Sequence, residues 1–507
     1  MPKPVAQQIG RVYLVGAGPG HPGLVTLRGV ECLRLADVVL YDYLVNPQLL
    51  EHARSTAELV CLGRHGRGRL WTQEEINHRM IEAARQGSNV VRLKAGDPAV
   101  FARAAEEAEA LTAAGVAFEI VPGITAALAS GSHAGVPLTH RQVSSAVAIV
   151  TGHEDTEKEQ PPLDYRQLGA FPGTIVIYMG VTSAAEWSAE LIAGGKSPDT
   201  PVAIVRRCSW PDQSVHRTRL GDLGTFVIQS RLRPPVIFIV GMAAADESSV
   251  AWFTSRPLFG QRVLVTRAEG QAGALRDLLQ DAGAEVLLQP VIAIEPPLEW
   301  KAVDDALARL DTFDWVVFSS ANGVSHWLDR LAMLGKDARS FGPAKIAAIG
   351  PGTADELAKY RLRADLVPDE YRAESLADAL SPSAAGKRIL LVRASRGREV
   401  LAERLIAAGA TVEQVVVYRS VDVTTPDTDI AATLADGRIH WITVTSSAIA
   451  RSLVALFGEH LHKTRLASIS PITSQTLREL GHEPAAEARE YTMPGILAAI
   501  CDKSSQH

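Results

Sequence analysis

Short apolar runs rich in β-branched residues recur along the whole chain, and longer stretches rich in Ala, Leu and Glu separate them. Examples are RVYLVG at 11–16, TIVIYMGV at 174–181 and RILLVRA at 388–394. Strands that are buried on both faces of a sheet show no alternation of polar and apolar residues. The pattern therefore predicts repeated βα units and mainly parallel sheets, which is the α/β class.

The same pattern predicts where the folding units end. A chain of 507 residues is too long for one ordinary core. The apolar run PVIFIVGM ends at Met242, and a new apolar run begins at Arg262 after the stretch AAADESSVAWFTSRPLFG. We expect one unit at 1–245, a linker at 246–260 and a second unit at 261–507, with a further break near 137–145 in the first unit.

The second half contains an internal duplication. Three elements recur in the same order, and the pairs are 263–286 with 390–412, 315–324 with 441–450, and 346–362 with 466–482. A paired Trp and a paired Ser-Ser distinguish the second match from a chance likeness between βα units. The duplication predicts two similar α/β lobes whose loops face one cleft, since open α/β sheets bind ligands beyond the carboxyl ends of their strands.

Composition and charge narrow the classes of function. The chain has 51 basic and 57 acidic residues, a net charge of −6, which does not favour nucleic-acid binding. Its cysteines are Cys32, Cys61, Cys208 and Cys501, and they form no CxxC pair. This spacing argues against a disulfide framework and against a zinc site, so we expect no metal. Neither a signal peptide nor an apolar run of bilayer length is present, so we expect a cytoplasmic protein without membrane contact.

A glycine-rich turn follows the first apolar run. Gly16, Gly18 and Gly20 allow the backbone to approach a ligand closely. A dinucleotide-binding turn needs a sixth-place glycine where this chain has His21, and Pro19 lacks the backbone donor that a pyrophosphate would use. The turn thus predicts a ligand-facing loop but a poor nicotinamide site; a purely structural turn is the alternative.

Long blocks of the first half resemble the tetrapyrrole (corrin/porphyrin) methylase family, and within it the uroporphyrinogen-III C-methyltransferases. The blocks are VYLVGAGPGHPGLVTLRG at 12–29, VVRLKAGDPAVFARAAEE at 90–107, IVPGITAALASGSHAGVPLTHR at 120–141 and PPVIFIVG at 234–241. The resemblance covers about residues 10–245. It implies a fold of two α/β domains around a cleft, S-adenosylmethionine as methyl donor with S-adenosylhomocysteine as product, uroporphyrinogen III as acceptor, precorrin-2 as final product, and a homodimer formed through this half.

The resemblance implies two catalytic residues. Asp42 matches the family's proposed proton acceptor, and a helix N-cap is the alternative role for it. Arg64 stands where the family has a lysine that is proposed as proton donor. Arginine is a poor general acid because it stays protonated, so the neighbouring His65 is the other candidate.

The resemblance also implies contacts with the methyl donor and the acceptor. The donor contacts are Pro19, Ala95, Gly96, Asp97, Val100, Thr125, Ala126, Met179 and Cys208, each of which could instead be a core or turn residue. Ala95 and Cys208 replace glycines of the family pattern, which narrows the space beside a ligand. The acceptor is a polycarboxylate, for which Arg28 and Arg103 are the predicted ligands; solvated surface charge is the alternative.

Blocks of the second half resemble uroporphyrinogen-III synthase over about residues 260–503. They are RVLVTRAEGQA at 262–272, WVVFSSANGV at 315–324, IAAIGPGTA at 346–354, VVVYRS at 415–420 and SISPITSQTLRELG at 468–481. The resemblance implies a two-lobed fold, with one lobe at 261–292 and 421–503 and the other at 297–416. It implies closure of the linear hydroxymethylbilane to uroporphyrinogen III without a metal or a redox cofactor.

Residues of this second site are also implied by the resemblance. Tyr418 matches a tyrosine proposed to assist loss of the hydroxyl group, and a structural role on an inter-lobe strand is the alternative. Hydroxyls on the matching loops are candidate ligands for substrate carboxylates, and helix N-capping is their alternative role; they are Ser319, Ser320, Ser446, Ser447 and Thr473.

Together the two resemblances predict a bifunctional enzyme of tetrapyrrole biosynthesis on the sirohaem and cobalamin branch. Two other hypotheses stay open. The first half could be a different precorrin methyltransferase fused to a degenerate synthase, or the second half could be a tetrapyrrole-binding module without activity of its own.

Overall fold

The computed structural model describes residues 9–63, 69–154, 162–245, 251–397 and 399–504. The chain divides into two compact units. The first comprises Met1–Gln261 with Leu279–Glu285, and the second comprises Arg262–Leu278 with Val286–His507. The predicted linker at 246–260 lies within the first of these ranges, and its residues 246–250 are outside the described part.

The first sheet of the first unit is built as predicted from apolar runs. Its strands are β1 (Val12–Gly16), β2 (Val38–Tyr41), β3 (Glu58–Cys61), β4 (Val90–Lys94) and β5 (Phe118–Val121). They are parallel in the order β3-β2-β4-β1-β5. The helices are α1 (Leu27–Leu35), α2 (Gln73–Arg85), α3 (Ala104–Ala113) and α4 (Ala126–His133). All carboxyl ends therefore meet at one edge, which also holds the glycine-rich turn.

The second sheet of this unit corrects the expectation of mainly parallel strands. Its strands are β6 (Val147–Thr151), β7 (Thr174–Tyr178), β8 (Pro201–Arg206), β9 (Ser214–Arg219) and β10 (Val236–Val240), with helices α5 (Tyr165–Gly169), α6 (Ala184–Ala193) and α7 (Leu223–Gln229). Their order is β6-β7-β10-β8-β9, and only β6 and β7 run parallel. An interior strand is apolar whichever way its neighbours run, so composition did not reveal this direction.

The described part of the predicted linker packs against the first unit. Phe253 is 1% exposed, and its ring lies 4.8 Å from that of His133 in α4. The indole nitrogen of Trp252 donates a 2.9 Å hydrogen bond to the carbonyl of Ser132. Residues 252 and 253 are thus fixed to α4 by a hydrogen bond and by aromatic contacts.

The second unit contains two further sheets. Its strands are β11 (Arg262–Val265), β12 (Glu285–Leu288), β13 (Ile292–Glu295), β14 (Trp315–Phe318), β15 (Lys345–Ala348), β16 (Arg388–Ala394), β17 (Thr411–Asp422), β18 (Trp441–Val444), β19 (Arg465–Ser468) and β20 (Ala486–Glu487). Its helices are α8 (Gly273–Asp281), α9 (Lys301–Ala308), α10 (Ala321–Met333), α11 (Pro351–Lys359), α12 (Ala373–Leu380), α13 (Val400–Ala407), α14 (Thr428–Ala435), α15 (Ser447–Phe457), α16 (Pro471–Glu479) and α17 (Met493–Ser504).

The sheet orders confirm the duplication. One sheet runs β12-β11-β18-β19-β20, and the other runs β13-β17-β16-β14-β15. The predicted repeats pair β11 with β16, β18 with β14 and β19 with β15, and these strands take matching places in the two sheets. We call the lobe with β11 the first lobe and the lobe with β16 the second lobe. The α/β class is confirmed in both units.

A long strand passes from the second lobe toward the first. Residues 411–418 of β17 pair in parallel with β16, and residues 419–422 pair antiparallel with β13. The register shifts near the change of partner, because Val416 pairs with Arg393 while Tyr418 pairs with Ala394. Val417 is therefore the extra residue of a β-bulge. Within the described residues, no helix is both long and apolar enough to cross a membrane.

Candidate active sites

The loops after β1 and β4 contact each other closely. Gly18 and Gly96 exchange backbone hydrogen bonds of 3.2 and 2.8 Å, and both have positive φ, +75° and +73°. A Cβ at Gly18 would lie 2.8 Å from the carbonyl oxygen of Leu24, so this position requires glycine. A Cβ at Gly96 would meet only the Cα of Thr125, at 3.9 Å. The space beside Gly96 is therefore open.

Asp97 fixes the loops rather than pointing a free carboxylate outward. Its Oδ1 accepts a 2.7 Å hydrogen bond from the backbone of Ala99, and its Oδ2 accepts one of 2.8 Å from Gly123. The amide of Val100 donates to the carbonyl oxygen of Asp97 at 3.2 Å. The predicted donor-contact residues 96, 97 and 100 thus form one hydrogen-bonded turn tied to the loop after β5.

The two sheets of the first unit meet at Tyr178. Its hydroxyl is hydrogen-bonded to the side chain of Thr125 and accepts a 2.6 Å bond from the amide of Ala127. Burial raises the pKa of Tyr178, so the phenol stays neutral at ordinary pH. The next residue, Met179, has a positive φ of +52° and is 49% exposed. Thr125, Ala126 and Met179 therefore lie around one junction, and their contacts with the methyl donor stay predictions.

Cys208 closes this region on the side of the second sheet. Burial raises the pKa of its thiol to about 12, so the thiol is unreactive at neutral pH. Ser209 accepts a 3.0 Å hydrogen bond from the amide of His21, just after the glycine-rich turn. A Cβ at Gly20 would lie 2.1 Å from the indole nitrogen of Trp210. The turn that holds Pro19 is thus packed directly against the segment that holds Cys208.

Asp42 lies at the end of β2, beside these loops. Its Oδ1 accepts a 2.6 Å bond from Arg92 in a salt bridge, and its Oδ2 accepts a 3.4 Å bond from the amide of Ala95. The carboxylate is 31% exposed. It caps no helix, because the side chain of Asn46 caps the short 3₁₀ helix that follows. The N-cap alternative for Asp42 is wrong.

A buried charge cluster supports Asp42, and sequence reasoning missed it. Arg92 and Lys94, which point to the same face of β4, are 4% and 2% exposed. Both donate to Oε1 of the fully buried Glu107, at 3.1 and 2.7 Å. Burial lowers the pKa of Lys94. Arg92 and Lys94 are two positions apart in an otherwise apolar run, and this was the sequence signal that could have revealed the cluster.

The predicted acceptor-binding arginines already have acidic partners. Arg28 donates two 2.8 Å bonds to Glu119 and one of 2.9 Å to Glu31. Arg103 donates bonds of 2.8 and 2.6 Å to Glu106. These ion pairs weigh against a role for either arginine in binding the substrate. That role stays a prediction. Arg64 and its alternative His65 lie outside the described residues.

In the second unit, Tyr418 lies under the first turn of α10. In a regular strand Val417 and Tyr418 would face opposite sides, but the bulge directs both into one apolar cluster. The Tyr418 hydroxyl lies 3.0 Å from the Ser320 hydroxyl, and its side chain is 6% exposed. Burial raises the pKa of Tyr418, and hydrogen bonds from Ser320 and Asn322 oppose that shift. The phenol is therefore neutral and able to donate.

The structure divides the predicted hydroxyl ligands into caps and non-caps. Ser320 and Ser446 are the N-caps of α10 and α15, where they accept bonds of 3.0 and 3.2 Å from the amides of Gly323 and Ile449. The remaining three are not caps: Ser319 donates to the carbonyl of Val392, Ser447 accepts from the Thr476 hydroxyl, and Thr473 is 2% exposed and bonded to Ser470.

The loop before α16 differs from its duplicate, the loop before α11, at the helix N-cap. Ser470 caps α16 through a 3.4 Å bond from the amide of Thr473, whereas the matching Gly350 gives α11 no side-chain cap. The serine therefore adds a helix cap to the second copy of the loop. Within the described ranges, no group of three His, Cys, Asp or Glu side chains is placed to hold a metal ion.

Comparison with known families assigns the two halves separately. Residues 11–224 match the family described as tetrapyrrole (corrin/porphyrin) methylases. Residues 273–498 match the family described as uroporphyrinogen-III synthase HemD. The predicted resemblances are therefore confirmed in both halves.

Individual relatives extend this result to the fused arrangement. The porphyrin biosynthesis protein HemD of Ruminiclostridium josui is 31% identical over 490 residues, covering 96% of this chain and 95% of the relative. The uroporphyrinogen-III C-methyltransferase of Bacillus subtilis (strain 168) is 37% identical over 350 residues, with 69% and 71% covered. The S-adenosyl-L-methionine-dependent uroporphyrinogen III methyltransferase of Methanosarcina barkeri (strain Fusaro / DSM 804) is 44% identical over 232 residues, with 46% and 91% covered.

Proposed function

Since the chain belongs to the tetrapyrrole methylase and uroporphyrinogen-III synthase families, fused in one polypeptide, we propose that it makes uroporphyrinogen III and then methylates it. The second unit closes hydroxymethylbilane to uroporphyrinogen III, and the first unit transfers two methyl groups from S-adenosylmethionine, which gives precorrin-2. The observation that carries the proposal is the Asp42 carboxylate, held by Arg92 at the strand ends beside the loop of Ala95 and Gly96.

The residues at these strand ends fit the methyl donor. The open space beside Gly96 leaves room for a ligand, and Thr125 is the residue nearest to it. The exposed Met179 follows Tyr178, which is bonded to Thr125. Pro19, Gly96, Thr125 and Met179 would hold S-adenosylmethionine, which supplies a methyl group on a positively charged sulfur. Asp97 would act by fixing the loops, since both of its oxygens bind backbone amides.

Asp42 would stabilise the acceptor during methylation. Positive charge develops on a pyrrole when its carbon takes a methyl group, and a fixed carboxylate stabilises such charge or accepts the proton that is lost. Arg92 fixes the direction of that carboxylate through a 2.6 Å bond. A held carboxylate needs no reorientation as the charge appears, which is the physical basis of electrostatic catalysis.

Tyr418 would assist cyclisation as a neutral hydrogen-bond donor. Because burial raises its pKa, the phenol keeps its proton and can donate to the leaving hydroxyl. The N-terminus of α10, where Ser320 is the cap, favours substrate carboxylates nearby. From the family resemblance we also propose a homodimer formed through the first unit and a cytoplasmic location.

One assay of the full chain tests the proposal. The purified protein receives hydroxymethylbilane with and without S-adenosylmethionine under anaerobic conditions, and products are resolved by mass and isomer. We expect uroporphyrinogen III alone without the methyl donor and a doubly methylated product with it. Uroporphyrinogen I as sole product, without methyl uptake, would contradict both activities.

A further inference from the structure

Arg267 lies directly beyond β11, where neutral groups hold its guanidinium. Its Nε and Nη2 donate to the backbone and side-chain oxygens of Gln271 at 3.1 and 3.2 Å, and its Nη1 lies 3.7 Å from the sulfur of Met493. Among the side chains that the structure describes, no carboxylate pairs with it. Paired arginines in the same unit include Arg309 with Glu413 and Arg404 with Asp378.

The environment of Arg267 is unfavourable for a cation without an anion. Burial lowers the pKa of its guanidinium, and no charged group among the described residues offsets that shift. A half-buried charge held by neutral groups alone costs free energy, and an arriving anion would recover it. Guanidinium groups match carboxylates in shape and can bind them with two parallel hydrogen bonds.

A side-chain bridge connects Arg267 to the predicted cyclisation residue. Gln271, which binds Arg267, donates a 2.6 Å hydrogen bond to Asn322 in the first turn of α10. Gln271 belongs to the first lobe and Asn322 to the second. The hydroxyl of Tyr418 is 3.0 Å from that of Ser320, which is the N-cap of the same first turn. Polar contacts therefore run across the lobes from Arg267 to the first turn of α10, and Tyr418 is bonded to the N-cap of that turn.

We propose that Arg267 binds a carboxylate of the linear tetrapyrrole, and that the Gln271–Asn322 hydrogen bond positions Tyr418 relative to that anchored substrate. The inference rests on the cyclisation activity in the proposed function. The substrate is flexible and carries many carboxylates, so anchoring one of them at a fixed distance from the phenol restricts how the chain folds before closure. Arg267 thus raises affinity, whereas Gln271 and Asn322 act as positioning residues.

Substitution of Arg267 tests the carboxylate contact directly. The probe is a linear bilane that lacks the hydroxyl group, so it binds but cannot close, and its affinity is measured by calorimetry on the full chain. We expect Arg267→Met to weaken binding about tenfold or more, because a charge-assisted bond is lost, and Arg267→Lys to weaken it less. The control is Arg404→Ala, which removes an exposed, paired arginine of the same unit.

Folding is checked separately by thermal unfolding. Arg267→Met should leave the unfolding temperature unchanged or raised, since it removes a half-buried charge. Bilane affinity within twofold of wild type in this folded variant would overturn the proposal. If Arg267→Met destabilises the chain, Arg267→Gln replaces it. Bilane affinity and a KM for hydroxymethylbilane that both stay at wild-type values in that uncharged variant would also overturn the proposal.

The positioning role of Asn322 is tested by the rate of cyclisation and by the isomer that is formed. We expect Asn322→Ala to lower kcat for cyclisation and to raise the share of uroporphyrinogen I, with bilane affinity unchanged. Its effect should vanish in a Tyr418→Phe background, because coupled residues are not additive. If the effects of Asn322→Ala and Tyr418→Phe on kcat were additive, Asn322 would not act through Tyr418, and the proposed positioning role would be wrong. A wild-type chain that binds the bilane through Arg267 without closing it would contradict the proposed function while leaving the carboxylate contact supported.

Discussion

Arg92, in the middle of β4, forms a 2.6 Å ion pair with Asp42, which directly follows the neighbouring strand β2. Arg92 is 4% exposed and also donates to the buried Glu107, so its guanidinium is held from two sides. A rigid cation of this kind restricts the Asp42 carboxylate to one direction. The catalytic candidate and the charge cluster behind it are therefore parts of one arrangement.

Asp42→Asn should abolish most methyl transfer while methyl-donor affinity stays near wild type. The amide has nearly the same size but carries no charge, so it neither stabilises a cation nor accepts a proton. Loss of such a group typically lowers turnover by a factor of about 10² to 10⁴. Methyl uptake and donor affinity are measured on the same sample. Asp199→Asn, which changes an exposed carboxylate paired with Arg219, is the control, and equal turnover in both variants would reject the role.

Glu107→Leu should destabilise the first unit by about 3 kcal/mol, because it leaves Lys94 buried without its partner. The double variant Lys94→Met/Glu107→Leu should recover much of this loss, since no uncompensated charge then remains. Urea unfolding of the three proteins gives the comparison. A double variant that is less stable than Glu107→Leu would show that packing, rather than charge, determines stability here.

Tyr418→Phe should slow cyclisation by about fivefold and leave methyl transfer unchanged. The phenyl ring preserves packing and removes only the hydroxyl, and one neutral hydrogen bond accounts for roughly 1 kcal/mol. Both activities are followed in one reaction from hydroxymethylbilane. The matched control is Tyr360→Phe, whose hydroxyl binds Asp329 in the same unit away from the site. Cyclisation at the wild-type rate in Tyr418→Phe would leave that residue a structural role only.

Stability of the first unit should fall as the pH drops below about 6.5. Burial lowers the pKa of His133, so in the folded chain it stays neutral where an unfolded histidine already binds a proton. The unfolded state then binds more protons, and stability present at pH 7 is lost in the acidic range. Burial also lowers the pKa of His21. Unfolding temperatures between pH 5 and 8 should therefore change less for His133→Phe than for wild type.

The control for this measurement is His78→Gln, which alters an exposed histidine on α2. Its pH dependence should follow wild type. If His133→Phe followed wild type as closely as this control does, the buried imidazole would not be a source of the acid sensitivity.

The fold was predictable where local sequence and burial agree. Strands such as β1, β4 and β16 coincide with apolar runs, and the duplication correctly paired β11 with β16. β9 was not recognised, because Val215 is the only apolar residue in its sequence SVHRTR, as suits an edge strand that pairs only with β8. Pairing direction in the second sheet depends on distant connections that no short window contains.

The sites were predictable only in part, for a similar reason. Family blocks pointed to Asp42 and Thr125, whose catalytic and binding roles stay predictions; Asp42 lies directly after β2, and Thr125 is the N-cap of α4. The ion pairs of Arg28 and Arg103 with glutamates could not be predicted, because a charged residue in sequence does not show its partner. Ser320 and Ser446 followed from capping chemistry, whereas Gln271–Asn322 joins residues 51 positions apart. Contacts of that kind arise only from tertiary packing.

The single extra residue at Val417 has a geometric consequence for the whole second unit. β17 pairs with β16 before this residue and with β13 after it. The alternation of inward and outward side chains is therefore out of phase between the two segments. Deleting Val417 would shorten the strand by about 3.3 Å. Because side chains alternate along a strand, removing this one residue would turn Tyr418 to the opposite face relative to β16.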